Sequence, residues 1–326
     1  MTILSRILAP ALLAGAVAFA MPAAAQTKWN LPSAYPVDNL HTENLAQFAK
    51  DVEAKSGGKL AITLHPNASL FKAPEIKRAV QTGQAQAGEV LISLHENEDP
   101  IFGIDVVPFL ATSFEASKRL WDASRPAVEK KLAAQGLTLL YAMPWPPQGL
   151  FSKTAVEKVD DLKGAKWRAY NAGTARIGEA VGAQAVTVQQ AELAQALATG
   201  VVTALITSSA TGTDVKIWES IPNFYDIQAW LPKNLVFVNK AAFDALDPAT
   251  QAAVKAAAAE AEVRGWKLSE EKTRGYMAQL AAKGMKVVPP SPELKAGFEK
   301  IGATLTDAWL AKAGADGAAV ISAYRK

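Results

Sequence analysis

The sequence predicts an α/β protein of two domains, or lobes, with an interdomain cleft and a long bracing helix. Strand and helix patterns alternate from residue 28 onward, which is typical of α/β domains. A proline-rich segment, 144–149, interrupts the alternation and cannot join a strand ladder, so it predicts a crossing between two domains. The helical pattern over residues 248–283 exceeds one domain's diameter of about 30 Å and predicts a helix that kinks or braces both lobes.

The composition suits two cores and excludes one class of partner. The chain has 326 residues, of which 50% are hydrophobic, and this is enough for two domains of ordinary size. Basic and acidic residues are nearly balanced, 34 against 31, and they are scattered, so nucleic acid is not an expected partner. The chain has no cysteine, and a chain of this length needs no disulfide.

Residues 1–25 have the pattern of a signal peptide. Arg6 precedes an apolar run over residues 7–19, and three alanines at 23–25 supply a cleavage site before Gln26. A retained membrane anchor is the alternative, but the run is short for a span of about 20 residues. We therefore expect an exported mature protein.

The first lobe opens with strands and helices in alternation, and glycines and prolines mark their boundaries. The predicted strands are 28–31, 60–65, 87–94 and 137–143, and the predicted helices are 42–55, 73–82, one that begins near Ser113, and 125–135. This order predicts parallel strands joined by right-handed crossovers. Ligands of such sheets lie beyond the carboxyl ends of the strands. Tyr35, Glu89 and Ser93 are therefore candidate pocket residues, with a surface loop as the alternative for each.

The second lobe follows the proline-rich crossing, in which Trp145 is either a packing residue or one wall of a pocket. A predicted strand, 201–207, runs directly into two serines. The hydroxyls of Thr207, Ser208 and Ser209 are candidates to bind a carboxylate or a hydroxyl, and a serine-rich turn without a ligand is the alternative. The other predicted elements of this lobe are strands 150–152 and 165–169, helices 174–181 and 189–199, and strand 235–238, which returns the chain to the first lobe.

The C-terminal part is predicted to be helical. Asp247 is a good N-cap for the long helix, and Gly284 is a natural stop. A last helix, about 292–313, is followed by a short helical tail from Ala315. The predicted organisation is a signal peptide at 1–25, a first lobe of 26–147 plus about 239–326, and a second lobe of 148–238.

Arg168 is the leading candidate for a ligand contact. It lies near the carboxyl end of the predicted strand 165–169, and Arg168 and Tyr170 project from the same face. A guanidinium in a covered sheet must meet an anion or water, because an unpaired buried charge is costly. We interpret the anion as a ligand carboxylate, bound by two parallel N–H···O bonds that lysine cannot supply with the same geometry. A structural salt bridge to an Asp or Glu of the protein is the alternative.

The sequence offers no clear catalytic apparatus. His41, His65 and His95 lack metal-ligand spacing and do not form a recognisable triad with serine and an acid. A Walker loop and the G-x-G-x-x-G and G-x-S-x-G motifs are also missing. We therefore predict a binding protein without a metal or cofactor. An exported hydrolase or lyase is the alternative, and Glu89 is its only acid/base candidate.

Several segments together resemble one known family. They are KSGGKLAITLHPNASL (55–70), the helix before AQAGEV (85–90), DVVPFL (105–110), DLKGAKWRAYN (161–171) and ELAQALATGVV (192–202). Over essentially the whole mature chain, the sequence resembles the solute-binding proteins of tripartite ATP-independent periplasmic (TRAP) transporters, of the DctP type. The resemblance implies a periplasmic-binding-protein-like fold, a periplasmic location and membrane permease subunits as partners. It also implies two lobes that close on an organic acid, with Arg168 binding the carboxylate and Asn171 matching a family asparagine.

The chain departs from the family pattern where the substrate would be selected. Many relatives that bind sialic acid or dicarboxylates have a second arginine where this chain has Gln148, and 205–207 is Leu-Ile-Thr in place of Gln-Glu-Asn. These changes, with three nearby aromatic residues, predict a monocarboxylate, for example an aromatic 2-oxo or 2-hydroxy acid. A C4-dicarboxylate or a sugar acid is the alternative. The predicted ligand-binding residues are Arg168, Asn171, Gln148, Trp145, Tyr170, Thr207, Ser208, Ser209, Tyr35, Glu89, Ser93 and Trp230.

Overall fold

The computed structural model describes residues 26–326, so the predicted signal peptide lies outside the described residues. The strands are β1 (Thr27–Pro32), β2 (Leu60–His65), β3 (Ala87–Leu91), β4 (Leu137–Pro144), β5 (Gln148–Ser152), β6 (Lys166–Ala169), β7 (Gln184–Thr187), β8 (Ala204–Ser208), β9 (Asn223–Tyr225), β10 (Lys233–Asn239) and β11 (Lys286–Val288). The helices are α1 (Leu40–Lys55), α2 (Ala73–Gln81), α3 (Phe114–Ala134), α4 (Ala172–Ala180), α5 (Gln190–Ala198), α6 (Ser209–Asp214), α7 (Lys240–Asp244), α8 (Pro248–Ala282) and α9 (Pro292–Tyr324).

The first lobe contains two small sheets. In one, β1 and β2 pair in parallel, as the sequence predicts; in the other the strand order is β3-β10-β4. Strand β10 runs antiparallel to both of its neighbours, so the prediction of parallel strands throughout this lobe is wrong. The physical reason is the route of the chain. Strand β4 leaves this sheet for the other lobe and β10 returns from it, so the two strands run in opposite directions.

The second lobe is built on a six-stranded mixed sheet of order β11-β9-β5-β8-β6-β7. Strand β6 lies parallel to β7 and β8, whereas β5 is antiparallel to β8 and β9. Trp167 points into the core and donates its indole N–H to the carbonyl of Thr174, 2.9 Å away. Because side chains alternate along a strand, its neighbour Arg168 lies on the opposite face.

The two crossings between the lobes run side by side. The backbone N–H of Trp145 donates to the carbonyl of Pro232 (2.8 Å), and that of Gln148 donates to the carbonyl of Trp230 (2.9 Å). The sequence predicted that the whole of 144–149 lies outside the ladders, which is wrong at both ends. Pro144 ends β4 and Gln148 begins β5, because a proline loses only its donor and can still occupy the end of a strand.

Helix α8 packs against both lobes and confirms the predicted bracing helix. Asp247 caps it by accepting from two backbone N–H groups of the first turn. Val254 lies in the core of the first lobe and Leu280 in the core of the second. At Gly265, an added β-carbon would lie 2.8 Å from Nδ2 of Asn44, so the close approach of α8 to α1 requires glycine.

Helix α3 is continuous through a proline, whereas helix α9 is interrupted at a glycine. Where the sequence predicted two helices between 113 and 135, the structure has the single helix α3 with Pro126 inside it. Leu120 before the proline and Leu132 after it lie in the same core, which keeps the axis continuous despite the lost donor. Helix α9 is interrupted at Gly314, where φ is 56°, so the predicted break after residue 313 is confirmed. Among the described helices, none is both long enough and apolar enough to cross a bilayer.

Candidate functional site

A narrow cavity of about 40 Å³ lies between the two lobes, beside the crossing segments. Both lobes contribute to its wall. A larger groove of about 810 Å³ runs along α3, β4 and α8 on the outside of the first lobe and contains none of the predicted site residues. The residues that line the interlobe cavity are Ala34, Tyr35, Ala73, Leu91, Leu94, Trp145, Gln148, Arg168, Tyr170, Gln189, Gln190, Thr207, Thr211 and Pro232.

Arg168 is the cation of this cavity. Its side chain is 3% exposed, and its Nε–H donates to the carbonyl of Val188, 2.9 Å away. The guanidinium lies over the ring of Tyr170 at 5.1 Å from the ring centroid. Within residues 26–326 it forms no ion pair, and its Nη groups donate no hydrogen bond to the protein. Burial therefore lowers the pKa of Arg168 to about 10, and its Nη donors remain available to an anion.

Gln148, Tyr170 and Trp230 form a hydrogen-bonded chain along one wall. The Trp230 Nε1–H donates to the Tyr170 hydroxyl at 3.2 Å, and the Tyr170 hydroxyl donates to Gln148 Oε1 at 3.3 Å. Nε2 of Gln148 donates to the carbonyl of Pro146 at 3.0 Å. Trp230 is not among the lining residues, so its place is behind Tyr170.

Two aromatic residues form another part of the wall. Tyr35 and Trp145 pack edge to face with ring centroids 4.9 Å apart. Both donate to Oδ1 of Asn234, the hydroxyl of Tyr35 at 3.4 Å and the indole N–H of Trp145 at 2.8 Å. Burial and the nearby Glu89 raise the pKa of Tyr35, so its hydroxyl stays protonated and acts as a donor.

Glu89 lies behind this aromatic wall and does not line the cavity, contrary to its prediction as a pocket residue. Its Oε1 accepts from Nδ2 of Asn234 at 3.0 Å, and its Oε2 accepts from the Ser33 hydroxyl at 2.7 Å. Nδ1 of His41 is 3.3 Å from Oε1. The Glu89 carboxylate is thus held by protein partners next to the aromatic wall and does not face the cavity.

Ser93 and Asn171 also lie outside the lining, at a contact between the lobes. Nδ2 of Asn171 donates to the Ser93 hydroxyl at 2.8 Å, while Oδ1 of Asn171 accepts from the backbone N–H of Thr174 and caps α4. The amide is therefore committed to a cap and to a bond across the interlobe gap.

Of the three residues whose hydroxyls were predicted to bind the ligand, only Thr207 lines the cavity. Ser208 caps α6 by accepting from the backbone N–H of Thr211 at 3.0 Å, and Ser209 is the buried first residue of that helix. The sequence predicted ligand-binding hydroxyls here, with a serine-rich turn as the alternative. A short helix begins at Ser209 instead, and its third residue, Thr211, lines the cavity.

Sequence reasoning missed several lining residues. Thr211, Gln189 and Gln190 belong to the first turn of a helix or the residue before it, each after a strand of the second lobe. The rule that ligands lie beyond strand carboxyl ends would have found them. The apolar lining residues carry no such signal, because an alanine or leucine in a loop is indistinguishable from ordinary core.

Two further polar contacts join the lobes. Nδ2 of Asn39 donates to Oδ2 of Asp214 at 2.7 Å, and Nη1 of Arg176 pairs with Oε1 of Glu96 at 2.8 Å. Burial raises the pKa of Asp214 to about 7. The structure therefore has the lobes in direct contact outside the cavity.

Potential metal ligands are not gathered into a site in the described part of the chain. Within residues 26–326, no group of three or more His, Cys, Asp or Glu side chains is placed to hold a metal ion. Of the three histidines, His41 stacks on Trp145 with ring centroids 4.2 Å apart, His65 contacts Asn30, and His95 contacts Glu98. The lining of the cavity contains no carboxylate and no histidine.

The family model described as bacterial extracellular solute-binding protein, family 7, matches residues 33–312. The chain belongs to this family. The match confirms the resemblance drawn from the sequence motifs, and family 7 proteins are extracytoplasmic receptors for solutes.

Solved structures agree with this assignment and confirm the two-domain α/β fold. DctP6, a Bordetella pertussis extracytoplasmic solute receptor that binds pyroglutamic acid, is 60% identical, with a TM-score of 0.91. DctP7 of the same organism, which also binds pyroglutamic acid, is 46% identical, and a marine metagenome TRAP solute-binding protein specific for pyroglutamate is 45% identical, each with a TM-score of 0.91. Each comparison covers 92% of this chain and at least 99% of the other. This family 7 chain is thus a TRAP solute-binding protein, a class that binds small organic acids and works with membrane components.

Proposed function

We propose that this chain captures a small organic monocarboxylate, pyroglutamate in the first instance, in the periplasm and delivers it to the permease subunits of a TRAP transporter. The observation that carries the proposal is Arg168, a buried cation with free donors in the wall of a cavity between two lobes. Three relatives at 45% to 60% identity bind pyroglutamate, which supports this choice of ligand.

The electrostatics of the site favour an acid. Burial holds the Arg168 guanidinium in a medium that disfavours its charge, and no protein carboxylate in residues 26–326 compensates. A ligand carboxylate that accepts from both Nη groups would form a bidentate, charge-assisted pair and offset that desolvation cost. Capture of the ligand then stabilises the closed arrangement of the lobes.

The shape of the site favours a small, compact acid. The cavity measures about 40 Å³, and aromatic and aliphatic side chains form much of its wall. A five-membered ring needs less room than the phenyl ring of an aromatic 2-oxo or 2-hydroxy acid, which remains the second candidate ligand. A C4-dicarboxylate or a sugar acid would bring additional charge or hydroxyls into a wall that has one cation.

The hydrolase or lyase alternative has little support from the geometry. Its acid/base candidate, Glu89, lies behind Tyr35 and Trp145 and is hydrogen-bonded to Ser33 and Asn234. The titratable side chains in the lining are those of Tyr35, Arg168 and Tyr170. None of them has an ordinary general base as a neighbour in the wall.

Calorimetry with the mature chain tests the proposal. We expect pyroglutamate to bind with a Kd of micromolar or below, and Arg168→Lys to weaken binding at least tenfold because a point charge replaces the two-pronged contact. Arg274→Lys, on the exposed side of α8, is the matched control and should bind as the parent does. Mass spectrometry of small molecules released from the purified protein adds an unbiased readout.

Two results would contradict the proposal. One is stabilisation by succinate or a uronate in a thermal-shift panel without stabilisation by pyroglutamate or an aromatic monocarboxylate. The other is an Arg168→Lys variant with unchanged affinity. Turnover of any bound acid would instead support the enzyme alternative.

A further inference from the structure

We propose that Gln148 determines which monocarboxylates this site accepts, by donating its free amide N–H to a neutral carbonyl oxygen of the ligand. The ligand class is then an acid with one carboxylate at Arg168 and one uncharged acceptor, such as a lactam, lactone or ketone oxygen, at Gln148. This inference rests on the proposed function and specifies the chemistry of the same site.

The contacts of Gln148 settle which way its amide faces. The carbonyl of Pro146 can only accept, so the group 3.0 Å from it must be the Nε2 donor. Oε1 consequently faces the Tyr170 hydroxyl, 3.3 Å away. Trp230 Nε1 can only donate, so it occupies an acceptor lone pair of that hydroxyl and the single hydroxyl proton goes to Gln148 Oε1.

This arrangement leaves one donor unused. Nε2 carries two hydrogens, and Pro146 takes one of them. Nε2 has no other hydrogen-bond partner in the described part of the chain, although Gln148 is 2% exposed and lines the cavity. A buried donor without a partner is costly, and a ligand acceptor removes that cost. Burial also raises the pKa of Tyr170, which keeps its hydroxyl protonated and the direction of the chain constant.

Charge explains why the acceptor must be neutral. Arg168 is the one charged side chain among the lining residues, and one carboxylate neutralises it. A second carboxylate at Gln148 would be buried opposite a single neutral N–H, which cannot compensate for the loss of hydration. A carbonyl oxygen loses far less on leaving water, so the same contact admits it.

A matched pair of ligands tests the carbonyl contact. 5-Oxotetrahydrofuran-2-carboxylate has the ring, the carboxylate and the carbonyl, whereas tetrahydrofuran-2-carboxylate lacks only the carbonyl. By calorimetry we expect the parent to prefer the oxo compound by about tenfold, the value of one buried hydrogen bond. Gln148→Leu should lose this preference, so that it binds the two compounds with affinities within about threefold of each other.

The outcomes separate the two proposals. Equal binding of both compounds by the parent, or an equal loss of both in Gln148→Leu, would overturn the role of Gln148 and leave the proposed function standing. Failure of both compounds and of pyroglutamate to bind would overturn the proposed function as well.

Tyr170→Phe keeps Gln148 but removes its hydroxyl partner. We expect this variant to reduce the preference for the oxo compound without abolishing it. An unchanged preference would count against the hydrogen-bonded chain.

A second pair of ligands tests the charge argument. Tetrahydrofuran-2,5-dicarboxylate and 5-carbamoyltetrahydrofuran-2-carboxylate have nearly the same shape and differ in charge at the second position. We expect the parent to bind the carbamoyl compound at least tenfold more tightly. Equal affinity would overturn the requirement for a neutral acceptor.

Discussion

A buried guanidinium without a carboxylate partner opposes the closed state until an anion arrives. The pKa of Arg168 falls to about 10 through burial, which corresponds to roughly 3 kcal/mol against the charged form. Arg168 remains charged at neutral pH in both folded and unfolded chains, so this cost is present throughout the physiological range. In the proposed function, the residue therefore contributes affinity for an acid at the expense of stability.

Arg168→Met should separate these two effects. We expect the unliganded variant to unfold at the same temperature as the parent or a few degrees higher, because an unpaired buried charge is replaced by an apolar chain. Stabilisation by pyroglutamate should be lost. Differential scanning calorimetry with and without ligand measures both, with Arg274→Met as the surface control. A large drop in the unliganded melting temperature would indicate that the contacts of Arg168 with Val188 and Tyr170 stabilise the fold by more than its buried charge destabilises it.

Glu89 is a residue of the supporting layer, and its substitution should reveal that. Glu89→Gln keeps the shape but weakens the bonds from Ser33 and Asn234, so we expect a loss of about 1–3 kcal/mol in urea unfolding. Ligand affinity should change by less than about tenfold, because the carboxylate does not line the cavity. Glu115→Gln, at an exposed position, is the control. Lost binding with unchanged stability would instead place Glu89 in contact with the ligand.

At the scale of elements, the site is assembled from helix starts that follow strands. Strand β6 leads into α4, whose cap is Asn171, and β8 leads into α6, whose cap is Ser208. The side chains of these two caps accept hydrogen bonds from the backbone of their helices. Residues near a cap in the sequence, rather than the cap itself, therefore line the cavity. Thr207 and Thr211 flank the Ser208 cap in this way.

Thr207→Val and Ser208→Ala should therefore have opposite consequences. Loss of the cap in Ser208→Ala is expected to cost about 1 kcal/mol of stability with little change in affinity. Thr207→Val removes a hydroxyl from the cavity wall, so we expect weaker binding with little change in stability. Chemical denaturation and calorimetry on the pair provide the comparison, and the reverse pattern would refute this division of roles.

At the scale of the whole molecule, closure brings together groups that are far apart in the chain. The contact of Asn39 with Asp214 lies between α1 of the first lobe and α6 of the second. Burial is the main reason why the pKa of Asp214 rises to about 7, and Asp38 adds to it, while the bond from Asn39 opposes it. The closed protein therefore binds this proton more tightly than an open form in which Asp214 is solvated.

Ligand affinity should consequently depend on pH. A raised acid pKa makes closure progressively less favourable as the pH rises from about 4 to about 7, with no further loss above that. We expect the affinity of the parent to fall severalfold between pH 5 and pH 8, whereas Asp214→Asn should show a flatter profile. Asp38, Glu43 and Tyr276 are charged or titratable neighbours. Asp38→Asn removes only a minor cause of the raised pKa of Asp214, so we expect it to flatten the profile less than Asp214→Asn does. An Asp214→Asn variant with the parent's pH profile would exclude this contact as the cause.

Much of the site could be predicted from single residues near strand ends. Tyr35, Trp145, Arg168, Tyr170 and Thr207 line the cavity, as expected from their positions beside predicted strands or crossings. Gln148 also lines it, but it was selected because it departs from the family pattern. The other predicted residues lie one layer away. Period and position along a strand indicate a neighbourhood, but the orientation of a side chain depends on what the rest of the fold packs against it.

The sequence by itself determined the elements whose signals are local. The long helix from Pro248, the break at Gly314 and the shared face of Arg168 and Tyr170 follow from periodicity, caps and backbone preferences within a few residues. The tertiary structure alone decided the antiparallel return of β10, the layer that Glu89 occupies and the pairing of Asn39 with Asp214. Each of these depends on contacts between segments remote in the chain, whose free energy exists only once the lobes have formed and met.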